Sequence, residues 1–152
     1  MESLKERYSA DPDIEIQTDF SSNSTVFSAD MLITDWSDIA WEYAFTTKRP
    51  VLFVNTPMKI MNPEYDKLPI VPMNIALRKV LGRDIDPDRL GDIDAAVREL
   101  LENKDGYRDI ISKTLDEMVY NVGSSAEVGA KYIIAAVQKK VRERKENNEK
   151  NS

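Results

Sequence analysis

Two short apolar runs, MLITD over residues 31–35 and VLFV over residues 51–54, constrain this chain more than any other feature. Each is bounded by polar residues, as a buried strand is. The fifteen residues between them, 36–50, carry helix signals. Ser37 offers a cap, and Trp41 and Phe45 stand one helical turn apart. Two parallel strands need a connection of a dozen or more residues, usually a helix. The stretch therefore predicts a βαβ unit with a right-handed crossover. An α/β fold with a parallel sheet follows, with further strands beside this pair.

The remaining chain fills in around that unit. Residues 3–9 predict a short helix, and Asp11-Pro12-Asp13 reads as a turn. IEIQT, residues 14–18, alternates apolar and polar as a half-buried strand does. FSSNSTVFSA, residues 20–29, offers caps for a short helix. Residues 56–86 predict an irregular segment on the ligand side of the sheet. Four prolines there, Pro57, Pro63, Pro69 and Pro72, interrupt any regular pattern. From Asp92 the apolar residues take helix spacing: Ile93, Ala96, Val97, Leu100 and Leu101, then Tyr107, Ile110, Ile111, Leu115 and Met118. Gly123 suits the end of that second helix. Ser124 and Glu127 have capping-box spacing for a last helix. The expected division is one domain over residues 1–138 and a frayed, charged tail over residues 139–152.

Composition limits the chemistry. The 152 residues include neither cysteine nor histidine. Disulfides, thiolate nucleophiles and the commonest base and zinc ligand are therefore excluded. What remains is carboxylate, hydroxyl, lysine or tyrosine chemistry, or a bound metal, although no metal set is predicted. A net charge of −6 argues against broad nucleic-acid binding. No apolar run is long enough to cross a bilayer, and MESLKERYSA has no secretory pattern.

The polar cluster at the end of the first run carries the functional question. Ligands of open parallel sheets sit at the carboxyl ends of the strands. A helix that begins there presents unpaired N–H groups and the positive end of its dipole, a geometry that holds phosphate. Thr34 and Ser37 could donate hydroxyls to phosphate oxygens, with Asp35 between them. Glu42, a little over one turn on, could accept from ribose hydroxyls. A plainer reading fits the same residues. Ser37 caps the helix, Asp38 complements its dipole, and Glu42 faces solvent.

The segment ADMLITDWSDIAWEYAFTTKRPVLFVNTP, residues 29–57, resembles the C-terminal domain of the CDP-glycerol glycerophosphotransferases, the teichoic-acid polymerases and primases. Ala29-Asp30, Leu32-Ile33-Thr34-Asp35-Trp36-Ser37, Glu42-Tyr43-Ala44 and Lys48-Arg49-Pro50 match that pattern in order and spacing. NVGSSAEVGAKYI, residues 121–133, is similar to the family's closing segment. The resemblance implies a Rossmann-like three-layer sandwich, the C-terminal half of a GT-B fold. It implies a transferase role in cell-wall polymer synthesis in bacteria. The donor-binding half would hold CDP-glycerol or a related CDP-alditol, with no further cofactor. Thr34, Asp35, Ser37 and Asp38 would lie at the diphosphate and Glu42 at the ribose. The implied setting is cytoplasmic, at the inner face of the membrane, with membrane contact only through a lipid-linked acceptor.

Two departures qualify the match. The family's second motif serine is Asp38 here, and a carboxylate repels a diphosphate. The family's histidines have no counterpart, nor does its N-terminal acceptor domain. The chain therefore reads as a fragment inactive alone, with that domain supplied in cis or trans. Half of a nucleotide-sugar glycosyltransferase, or a non-catalytic Rossmann-like interaction module, are the alternatives.

Weaker signals complete the reading. Lys59, Lys67, Arg78, Lys79 and Arg83 read as solvated charge or as a cationic wall. Asp84, Asp86, Asp88, Asp92 and Asp94 match a calcium loop only loosely, and Asp86-Pro87 suits a helix start. Ser124 and Ser125 are either a second anion site or a helix-to-helix turn.

Overall fold

The fold is taken from a computed structural model, which describes residues 2–19, 24–58 and 62–150. It forms two compact units, residues 1–111 and residues 112–152.

The first unit is mixed α/β. Strands β1 (Leu32–Thr34), β2 (Val51–Val54) and β3 (Gly82–Ile85) form one sheet in the order β1-β2-β3, and both pairings are parallel. Leu32 faces Val51, and Val51 faces Gly82. Helices α1 (Glu2–Tyr8) and α2 (Ser24–Ser28) precede the sheet. Helix α3 (Ile39–Thr47) makes the expected crossover from β1 to β2. Short helices α4 (Met73–Ala76) and α5 (Arg78–Leu81) lead into β3. A 3₁₀ turn (Pro87–Asp92), with Asp86 as cap and proline at its start, leads into α6 (Ile93–Glu102) and then α7 (Lys104–Met118).

Packing follows the strand alternation. Leu52 is fully buried and joins Ile85, Ala96 and Leu100 in one cluster, with Val54, Ile93 and Val97 against it. That cluster seats α6 on β2 and β3. Phe53, the alternate residue, instead lines a small cleft with Ala40 and Trp41 of α3, Leu77 between α4 and α5, and Leu81 of α5. Full burial of a side chain such as Leu52 or Phe53 contributes about 1.5–3 kcal/mol. Helix α3 buries Ala40, Tyr43, Ala44 and Phe45, at helical spacing. The Tyr43 hydroxyl donates to the Ala29 carbonyl at 2.9 Å, so its one polar atom is satisfied. Burial pushes its pKa up. Lys48 closes α3 in the left-handed conformation, φ 59°, and its N–H donates to the Ala44 carbonyl.

Several expectations are corrected. Residues 14–18 form no strand: Ile14 is exposed and only a local Asp11 turn precedes it. Alternation needs a neighbouring strand to become pairing, and none lies beside it among the described residues. Residues 56–86 are not irregular throughout, because α4, α5 and β3 lie within them. Gly82 permits β3. A Cβ there would stand 1.7 Å from the Val51 carbonyl oxygen.

The second unit holds the end of α7 and helix α8 (Ser125–Lys150). Asn121 and Gly123 both take positive φ in the turn between them, so α7 stops at Met118, before Gly123. The charged end expected to fray is helical through Lys150.

Candidate functional site at the carboxyl end of the sheet

Thr34 is the last residue of β1 and is half-buried. Asp35 follows it at the carboxyl edge of the sheet. Its carboxylate lies 3.5 Å from the Thr56 hydroxyl, at the limit of hydrogen bonding. The Trp36 indole donates to the Thr56 carbonyl at 2.6 Å, tying the end of β1 to the chain beyond β2.

Ser37 is not the helix cap. Helix α3 begins at Ile39 and Asp38 is its N-cap residue, but with helical φ and ψ and no side-chain bond to a first-turn amide. The Asp38 carboxylate instead lies 3.5 Å from the Trp41 indole nitrogen. Helix α3 therefore offers its dipole without a side-chain cap. Glu42 is exposed in its first turn. Asp35 and Ser37 meet at a small cleft of about 10 Å³ that also involves Trp41, Phe53 and Arg78. Thr34, Asp38 and Glu42 do not line it. Ser124 and Ser125 belong to the second unit, where the Ser124 hydroxyl faces the Asn121 carbonyl at 3.4 Å.

The central group of this region is Arg78, which the sequence offered only as solvated charge or as part of a cationic wall, not as a buried residue. Arg78, at the start of α5, is only 6% exposed. Its guanidinium donates to the Asp35 carbonyl at 2.7 Å and to the Asn55 side-chain oxygen at 2.6 Å. It lies over the rings of Trp36 and Phe53, 3.9 and 4.5 Å from their centroids. Such stacking suits a weakly hydrated planar cation. Burial lowers its pKa, while the charges of Asp84 and Asp35 act the other way. Asn55 passes the network on. Its amide nitrogen donates to Asp84 at 3.1 Å and to Asp86 at 2.8 Å. The bond from Asn55 is the main reason the Asp84 carboxyl sits below the usual range. The signal that could have exposed Arg78 is the pair Leu77 and Leu81 flanking it at helical spacing, both buried.

A cavity of about 190 Å³ opens beside this network, lined by Asn55, Arg83, Asp84, Asp86, Arg89 and Asp92, with Ile85. Arg83 is paired with Glu99, and Arg89 with Asp92 through two nitrogens. The cavity therefore presents carboxylate oxygens as well as cations, a wall suited to hydroxyl donors. Of the other cations noted in the sequence, Lys67 pairs with Glu64 and Arg83 with Glu99, and Lys59 lies outside the described residues. Among the described residues no group of acidic side chains could hold a metal ion, and no helix is long and apolar enough to cross a membrane.

Comparison with protein-family models, with curated proteins and with solved structures gives no match for this chain.

Proposed function

We propose that this chain is the donor-nucleotide-binding half of a CDP-alditol phosphotransferase, with CDP-glycerol or a close relative as donor. The observation that carries the reading is the position of Thr34, Asp35 and Ser37. They occupy the carboxyl end of a strand in a parallel sheet, at the head of a helix without a side-chain cap. That is where open α/β sheets hold ligands. In this reading the three-stranded sheet is the centre of a Rossmann-like three-layer domain. The diphosphate meets the amides at the head of α3 and the Ser37 hydroxyl. Glu42, Asp84 and Asp86 are the acceptors for sugar hydroxyls. The acceptor domain is a separate domain in cis or trans, and the setting is the cytoplasmic face of the membrane.

Affinity should be low. A charge-assisted hydrogen bond contributes about 1.5–3 kcal/mol at best. Repulsion from Asp35, Asp38 and Asp84 offsets much of that sum, leaving millimolar binding, about 4 kcal/mol. The chain alone should transfer nothing, because a hydroxyl nucleophile needs a base and there is no histidine to supply it.

Amide NMR titration with CDP-glycerol tests the reading. Residues 35–40 should shift first. Ser37→Ala should weaken the response, and Asp38→Ser should strengthen it. A silent motif at high millimolar ligand would overturn the proposal. It would favour an interaction module instead, a role that the exposed Leu68, Ile70 and Val71 also suit, Ile70 being 76% exposed.

A further inference from the structure

At the opposite, amino end of the sheet lies a cavity of about 380 Å³ with a different character. Its polar lining is Lys48, Arg49, Lys104 and Arg108, with one carboxylate, Asp30. Four cations gather around one cavity in a chain whose net charge is −6. We propose that this cavity is a binding site for a soluble small molecule bearing two or more closely spaced phosphate groups. The proposal is independent of the donor site at the other end of the strands.

Three observations support it. First, the cations come in two pairs from two elements. Lys48 and Arg49 follow α3 and lead into β2, while Lys104 and Arg108 stand one turn apart on α7. Two pairs facing one cavity match two linked anions better than a single one. Second, Arg49 is held in place before any ligand arrives. Its guanidinium donates to the carbonyls of Ser28 and Ala29, at 3.1 and 2.5 Å. A pre-positioned guanidinium loses less freedom on binding. Third, the negative end of the α3 dipole, which would repel an anion, is already answered. The Lys48 N–H caps the Ala44 carbonyl, and its ammonium donates to the Phe45 carbonyl at 2.7 Å.

The carboxylates that oppose binding are weakly placed. Asp30 lies 3.8 Å from Arg49 with its side chain 89% exposed, so it can swing into water. Asp105 meets Arg108 at 3.4 Å and is likewise exposed. Neither pair is strong. The volume falls within the range of about 300–1,000 Å³ usual for small-molecule sites.

The probe is tripolyphosphate, titrated into the full chain at low salt with amide NMR as readout. Saturable shifts are expected at residues 48–49 and 101–108. Inorganic phosphate should bind at least about tenfold more weakly, the loss of one good charge-assisted contact. The double variant Lys104→Ala/Arg108→Ala should lose at least about tenfold in affinity for the same reason. Both residues are exposed, and an unchanged circular dichroism spectrum will confirm its fold. Asp30→Asn should tighten binding a few-fold. Shifts spread evenly over the lysines and arginines of α8, or a double variant that binds as the parent does, would overturn the proposal.

Discussion

Arg78 shows how much one residue can organise. A charged side chain in a proline-rich segment reads from sequence as surface charge. The fold instead encloses it between two aromatic rings and gives its N–H groups two acceptors. Its neighbour Asn55 accepts from it and donates its amide nitrogen to Asp84 and Asp86. Arg78→Met keeps most of the volume and removes both bonds. Hydrogen bonds to a charged group are each worth about 1.5–3 kcal/mol, so the variant should lose about 3 kcal/mol in urea unfolding. Lysine at this site keeps the charge without the fork and should recover less than half. A variant as stable as the parent would mean that the network adds nothing net.

Among the elements, β1, α3 and β2 were legible because apolar runs and helix spacing both mark them. Helices α6 and α7 were legible for the same reason, each carrying an amphipathic period. Strand β3 was not. Its sequence is GRDI, which has a glycine and two charges, and only its first and last residues are buried. Nothing in four such residues signals a strand; the pairing with β2 makes it one. Residues 14–18 show the converse, a strand-like alternation with no partner. The candidate site divides the same way. Thr34, Asp35 and Ser37 were placed by the end of an apolar run, whereas Arg78 and Asn55 reach the site through contacts distant in sequence. Gly82 also identifies the most sensitive contact between elements. Gly82→Ala would drive a methyl into the Val51 carbonyl, forcing β2 and β3 apart. Overpacking of this kind costs about 1–3 kcal/mol, and the upper end is expected because the obstacle is backbone. Thermal unfolding of the variant should show this; an unchanged midpoint would mean that the strands separate freely there.

The whole molecule is uneven in its burial. Tyr43, Leu52, Leu81, Leu100 and Ile111 are fully enclosed, and all belong to the first unit. None of the described residues of the second unit is buried, and Tyr132, Ile133 and Ile134 of α8 stand largely in water. Local stability should follow that division. Native-state hydrogen exchange should be slowest in residues 51–54 and 82–85, and fast along α8. Equal protection in α8 and β2 would show that α8 is covered in solution by another surface.

The Arg78 network has a consequence for how the sheet comes together. Through Arg78 and Asn55 it joins the end of β1, the end of β2 and both Asp84 and Asp86 at the end of β3. Slipping one strand by one residue moves its end by about 3.3 Å, more than a hydrogen bond can stretch. Only one alignment of the three strands satisfies every member. The network thus acts as a proofreader of register: a misaligned sheet leaves a guanidinium stranded in a dry place. Arg78→Met should then refold with an added slow phase as wrongly aligned sheets sort themselves out, while the parent chain refolds without one.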